Sequence, residues 1–209
     1  MLHPLQPLGI AAELKAALEI QRQVLAWALT PSQPLTEAEI RRQFAAPWAD
    51  WLAGRFMLKG GNNDFVRETE VVRVCAKKAG AKRRILRAFE HDITFDALSD
   101  PAFTFHYHTK LSEAEREALQ PLMAGFYDWL CSPGLPRLGG GVLTRDALIA
   151  DYCTANPDVV VCPSCDGRRS DAIGEKVFAD CDHYLPKSLY PFVAIHPANL
   201  LPTKAPLRQ

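Results

Sequence analysis

The chain has 209 residues, 48% of them hydrophobic and 23% charged, which allows one domain or one and a half with a sizeable core and excludes a disordered chain. Lys+Arg and Asp+Glu both number 24, so the formal net charge is zero. That excludes a wholly basic nucleic-acid coat protein but not a local basic patch, because association follows the local field and not the sum.

The first 150 or so residues read as mostly helical. Residues 8–29 place Leu14, Leu18, Leu25 and Leu29 close to a three-and-four spacing, with Gln21 the one polar member of the stripe. Pro31 and Pro34 end that helix. Thr36-Glu37-Ala38-Glu39 has a capping-box pattern and predicts a helix to about Leu52, broken or kinked by Pro47. Gly60-Gly61-Asn62-Asn63 is a turn. From Arg73 to Arg87 there are seven basic residues and no acidic one: Arg73, Lys77, Lys78, Lys82, Arg83, Arg84 and Arg87. Such a stretch is either a nucleic-acid-binding surface or a solvated helix face balanced elsewhere in the fold. In Phe105-His106-Tyr107-His108 the spacing predicts a half-buried strand with both imidazoles on one face. Ser112-Glu113-Ala114-Glu115 repeats the capping box and opens a helix to Leu130, with Leu119, Leu122, Phe126 and Trp129 facing the core and Pro121 inside it. Residues 133–141 form a turn-rich break, and Thr144 caps a short helix to about Cys153.

The character changes near residue 155, where short β-prone runs, Val159-Val160-Val161 and Lys176-Val177-Phe178, lie between Gly and Pro. The expectation is a helical domain over 1–155 and a smaller unit over 156–209. No apolar run reaches membrane-spanning length. Met1-Leu2-His3-Pro4 has no basic stretch ahead of an apolar one, so no leader and no membrane partner is expected, and the location expected is cytoplasmic. Six cysteines are too sparse for a disulfide scaffold, and three of them fall near the end, where metal is the commoner use of clustered thiols in a reducing compartment.

Three stretches near the end carry chemistry. In Cys162-Pro163-Ser164-Cys165 two thiolates on one tight turn are half of a tetrahedral zinc site. A redox dithiol would need the pair at a helix N-terminus, and Asp166-Gly167 after it favours a knuckle. Asp182-His183 puts a hard oxygen ligand beside an imidazole able to act as general base, if the strand ends there. Asn199, 16 residues after His183, is placed to hold a loop carbonyl and so fix the imidazole.

The order Cys162-x-x-Cys165, Asp182-His183-x-x-Pro186-Lys187, then Asn199-Leu200 resembles the HNH endonuclease family. The resemblance implies an α+β chain: a mostly helical N-terminal region followed by a partial ββα-metal (HNH) unit. It implies His183 as general base, Asp182 as ligand of a catalytic Mg²⁺ or Mn²⁺, Asn199 as the residue orienting the loop, and Cys162 and Cys165 as half of a structural Zn²⁺ knuckle. It implies phosphodiester hydrolysis in DNA, in phage defence or a mobile element. Lys187, with Lys77, Lys78, Lys82, Arg83 and Arg84, would meet nucleic acid. The chain departs from the family after Asn199, with no further Cys, His or Asn. Loss of the closing helix, its completion by a second protein subunit, or recruitment of Cys181 and His196 to zinc each account for the departure, and loss is the expectation. Two other function classes stay open: an inactive module that binds nucleic acid or a partner, and a redox dithiol protein.

Overall fold

A computed structural model describes residues 9–30, 32, 35–58, 64–96, 102–137, 139–155 and 179–204, with 179–182 and 201–204 described by backbone alone. Cys162, Cys165 and the two β-prone runs at 159–161 and 176–178 lie outside the described residues. The chain is mostly helical, with two small antiparallel strand pairs, and so is α+β.

Helix α1 (Ala11–Ala28) buries Leu14, Leu18, Val24 and Leu25 along the expected stripe. Its polar member, Gln21, is fully buried and donates from Nε2 to the Met123 carbonyl at 2.9 Å. The helix start has no side-chain cap of its own. The carboxylate of Asp151, 141 residues away in sequence, accepts from the Ile10 amide instead at 3.2 Å. Glycine at position 9 leaves room for this approach, since a Cβ there would lie 2.6 Å from an Asp151 oxygen and the carboxylate would have to shift.

Of the break or kink expected at Pro47 the structure has the break, giving two helices, α2 (Glu37–Gln43) and α3 (Trp48–Met57). Thr36 caps the first through the Glu39 amide, and the chain turns extended at Phe44 before Pro47. Pro47 opens the second helix, where its missing N–H costs nothing. Helix α4 (Phe65–Ala76) is capped by Asp64 and ends at Lys77. A tight turn closes at Gly80, whose φ of 74° is a left-handed conformation that glycine adopts without strain, and leads into α5 (Ala81–Asp92). The basic segment is therefore not one helix face but the end of α4, a turn and the start of α5.

The strand expected around His106 is a short helix, α6 (His106–Lys110). The cause is distant: the buried Asp92 carboxylate accepts from the His106 and Tyr107 amides at 2.7 and 2.8 Å. Once helical, His106 and His108 no longer share a face. His106 stacks on His91 instead, centroids 3.5 Å apart.

Helix α7 (Glu113–Cys131) begins with a complete capping box, Ser112 and Glu115 exchanging hydrogen bonds. Leu119, Leu122, Phe126 and Trp129 are buried. The break after it contains a two-residue antiparallel pair, β1 (Leu135–Pro136) with β2 (Val142–Leu143). Thr144 then caps α8 (Arg145–Ala155) through the Ala147 amide.

Strands β3 (Ala179–His183) and β4 (Leu200–Lys204) pair antiparallel, with His183 opposite Leu200 and Asp182 opposite Leu201. The loop joining them carries short 3₁₀ turns at Pro191–Val193 and Pro197–Asn199. Phe192 sits edge-on to Phe89 and Tyr107 at 5.2 and 5.0 Å. Phe192, Ala194, Ile195 and Leu200 belong to the same buried cluster as α1 to α7, so the helices and the hairpin loop pack on one core. Among the described residues no helix is long and apolar enough to cross a membrane.

Candidate active site

Strand β3 ends at His183, and the chain leaves the sheet there. The half-buried imidazole reaches the Ala194 carbonyl with Nε2 at 2.9 Å. A carbonyl only accepts, so Nε2 carries the proton and Nδ1 is the basic nitrogen of the ring. The ring edge meets the buried Tyr127 ring of α7, centroids 4.2 Å apart and planes at 62°. Among the described residues, one contact from within the loop and one from the helix below hold the ring.

Asn199 closes the loop. It is fully buried, and each of its polar groups is used. Oδ1 accepts from the Leu185 amide at 2.6 Å, and Nδ2 donates to the carbonyls of Leu185 and Val193 at 3.1 and 3.0 Å. Its own carbonyl accepts from the Tyr184 amide at 2.9 Å. One side chain therefore joins the segment just after His183 to the turn that presents Ala194. The structure brings His183 and Asn199 into one unit, in which Asn199 acts on the imidazole through the loop.

The other expected residues are placed as follows. Asp182 precedes His183 in the strand register, and its side chain lies outside the described residues, as do Cys162 and Cys165. Lys187 pairs with Asp128 of α7 and stands 4.8 Å above the Tyr127 ring centroid, so it ties the loop to α7. In the basic segment Lys82 donates to Thr30 at 2.7 Å, and Arg84 pairs with the buried Glu115. Lys77, Lys78 and Arg83 are exposed and have no ion pair among the described residues. These cations are distant from His183 in sequence, and no hydrogen bond, ion pair or ring contact among the described residues joins them to it.

His196 is not available to a zinc ion. Its Nε2 donates to the Ile93 carbonyl at 3.1 Å and its Nδ1 accepts from the Ala198 amide at 3.2 Å. Burial holds it neutral, with a pKa lowered to about 4. No group of three His, Cys, Asp or Glu side chains among the described residues is arranged to hold an ion. The described donors therefore do not form a metal site by themselves.

Three contributors were not visible in the sequence: Tyr127, Asp128 and the Ala194 carbonyl. The one trace was Asp128, a carboxylate in the apolar second half of α7. On α4, Glu68 is 4% exposed, and its Oε2 has no hydrogen-bond partner among the described residues. Burial pushes its carboxyl up to about 7. Arg67 opposes that shift, and Asp64 and Asp128 add to it.

No protein-family model, no curated protein and no solved structure matches this chain. The functional reading rests on the motif and on this geometry.

Proposed function

We propose that the chain is an HNH-type endonuclease that hydrolyses phosphodiester bonds in DNA, with His183 as general base. One observation carries the reading: a histidine at a strand end, its Nε2–H on a backbone carbonyl, in a loop closed by a buried asparagine. In this tautomer the ring takes a proton from water as the water attacks phosphorus, the bond from phosphorus to the departing sugar oxygen breaks and that oxygen takes a proton from solvent, while Nε2 keeps its proton on the Ala194 carbonyl as the ring becomes imidazolium. The carbonyl dipole stabilises the positive ring. Tyr127 limits its swing, so the base is oriented before substrate arrives. Mg²⁺ or Mn²⁺ at Asp182 and zinc at Cys162 and Cys165 belong to the motif part of the proposal.

The test is conversion of supercoiled plasmid to nicked or linear form by the purified chain, with Mg²⁺ or Mn²⁺ supplied. The expected outcome is cutting by the wild type and a loss of about 100-fold or more in His183→Ala, with an unchanged circular dichroism spectrum. A wild type inert with every divalent ion overturns the reading. The engagement of Lys187 by Asp128 favours a second reading, a module that binds nucleic acid without cutting it. Binding by an inert wild type would establish that one.

A further inference from the structure

The seven basic residues between 73 and 87 divide into two groups in the fold. Three serve the protein itself. The Arg73 guanidinium lies over the Trp27 ring at 5.1 Å, Lys82 bonds Thr30, and Arg84 pairs with Glu115. The other four, Lys77, Lys78, Arg83 and Arg87, are exposed and carry no ion pair among the described residues.

Their placement works against the fold. The first turn of α5 contains no acidic residue and bears Lys82, Arg83 and Arg84 at the positive end of the helix dipole, where cations are disfavoured. Arg83 and Arg87 are four apart, so two like charges share one face of the helix, which is also unfavourable. The turn at 77–80 brings Lys77 and Lys78 to that same end. Four like charges close in sequence, with no ion pair among the described residues, would be stabilised by an external polyanion. The segment 73–87 contains no aromatic residue, so it has no ring on which an unpaired base could stack.

We infer that Lys77, Lys78, Arg83 and Arg87 form a docking surface for the phosphate backbone of duplex DNA, read without regard to sequence. This deepens the proposed function by naming the surface that holds the substrate, and it rests on that reading for nucleic acid as the partner. It does not rest on cleavage.

The experiment is fluorescence anisotropy of a labelled duplex of about 30 base pairs with the full chain in EDTA, over a salt series. Four neutralised phosphates predict a slope of about −3.6 in log K against log salt, or ~100-fold weaker binding between 50 and 200 mM. Lys77→Gln/Lys78→Gln/Arg83→Gln/Arg87→Gln is expected to remove most of that slope, and Arg83→Gln/Arg87→Gln about half. All four side chains are exposed and repel one another, so the quadruple variant is expected to fold and to unfold at the wild-type temperature or slightly above it. Lys15→Gln/Lys110→Gln, which removes two exposed cations elsewhere, should leave binding unchanged. Full binding by the quadruple variant, an equal loss in the Lys15/Lys110 variant, absence of duplex binding by the wild type, or tighter binding of the single strand each overturns the inference. A wild type that binds through these four residues but leaves plasmid uncut sinks the hydrolysis reading alone. A quadruple variant that binds and cuts undiminished sinks the docking surface alone.

Discussion

The helices and the loop between β3 and β4 are held by different forces. Helices α1, α3, α4 and α7 meet through rings: Trp27 stacks on Phe65, Phe65 meets Trp129 edge-on, and Trp129 meets Trp51. Such contacts are non-directional and tolerate small shifts. The loop is anchored at Phe192 by the same apolar packing, but its two ends are tied by the amide of Asn199, the imidazole of His183 and the pair of Lys187 with Asp128. Polar ties fix angle as well as distance, and angle is what a general base needs. The division suggests where substitutions should cost stability alone and where they should also cost activity.

The largest stability effect is expected at the apolar anchor. Phe192 is 1% exposed, and Phe192→Ala leaves a cavity between α5, α6 and the loop. The expected loss is about 3–5 kcal/mol in denaturant unfolding. A loss under about 1 kcal/mol would mean that the loop is not part of the common core, and the contrast drawn here would fail.

Asn199→Ala comes next. It removes the partners of the part-buried Leu185 amide and carbonyl and of the buried Val193 carbonyl. At about 1–3 kcal/mol for a buried unsatisfied group, a total of about 3 kcal/mol is expected after partial relaxation. Unlike Phe192→Ala, this change should abolish plasmid cutting even where the chain is still folded, because the turn presenting Ala194 loses its tie. Retained cutting at full rate would separate Asn199 from the site.

Glu68 tests the apolar layer from within. Its carboxyl sits near 7 in the fold against an ordinary 4.5, so the folded state holds the proton more tightly than the unfolded one. The stability this group contributes is fully present below pH 4.5 and is lost as pH rises through about 7. The full loss is about 3 kcal/mol at most. Glu68→Gln should therefore flatten the decline in melting temperature across that range and be the more stable protein at pH 8. Parallel wild-type and variant curves would assign the decline to another group.

Much of this was legible where the causes are local. The stripe of α1, the Ser112 box and the Thr144 cap depend on neighbours three and four residues away. So does the break at Pro47, which separates two helices. What the sequence hid is set at long range. Helix α6 exists because Asp92, fourteen residues earlier, supplies acceptors to its first amides, and alternation in Phe105-His106-Tyr107-His108 pointed the other way. At the candidate site the motif named His183 and Asn199, which share one loop. It was silent about Tyr127 and Asp128, more than fifty residues earlier, because nothing in a helical repeat marks which face a distant loop will cover. The basic segment was visible as composition, but only the fold separates cations with internal partners from those without.

The smallest effect should distinguish a charged tie from a neutral one. Lys187 and Asp128 are both about one-third exposed, at 32% and 38% of their side chains, so water screens their attraction. Asp128→Asn is expected to cost under about 1 kcal/mol at low salt. Raising salt to 1 M, where the Debye length is about 3 Å, should erase the difference from wild type. The cost of Asn199→Ala should persist there, since its hydrogen bonds involve no net charge. The released Lys187 would still lie over the Tyr127 ring, so His183 should keep its edge contact and cutting should fall only slightly. A large, salt-independent loss in Asp128→Asn would instead make Asp128 part of the chemistry, and the site would then extend from the loop into α7.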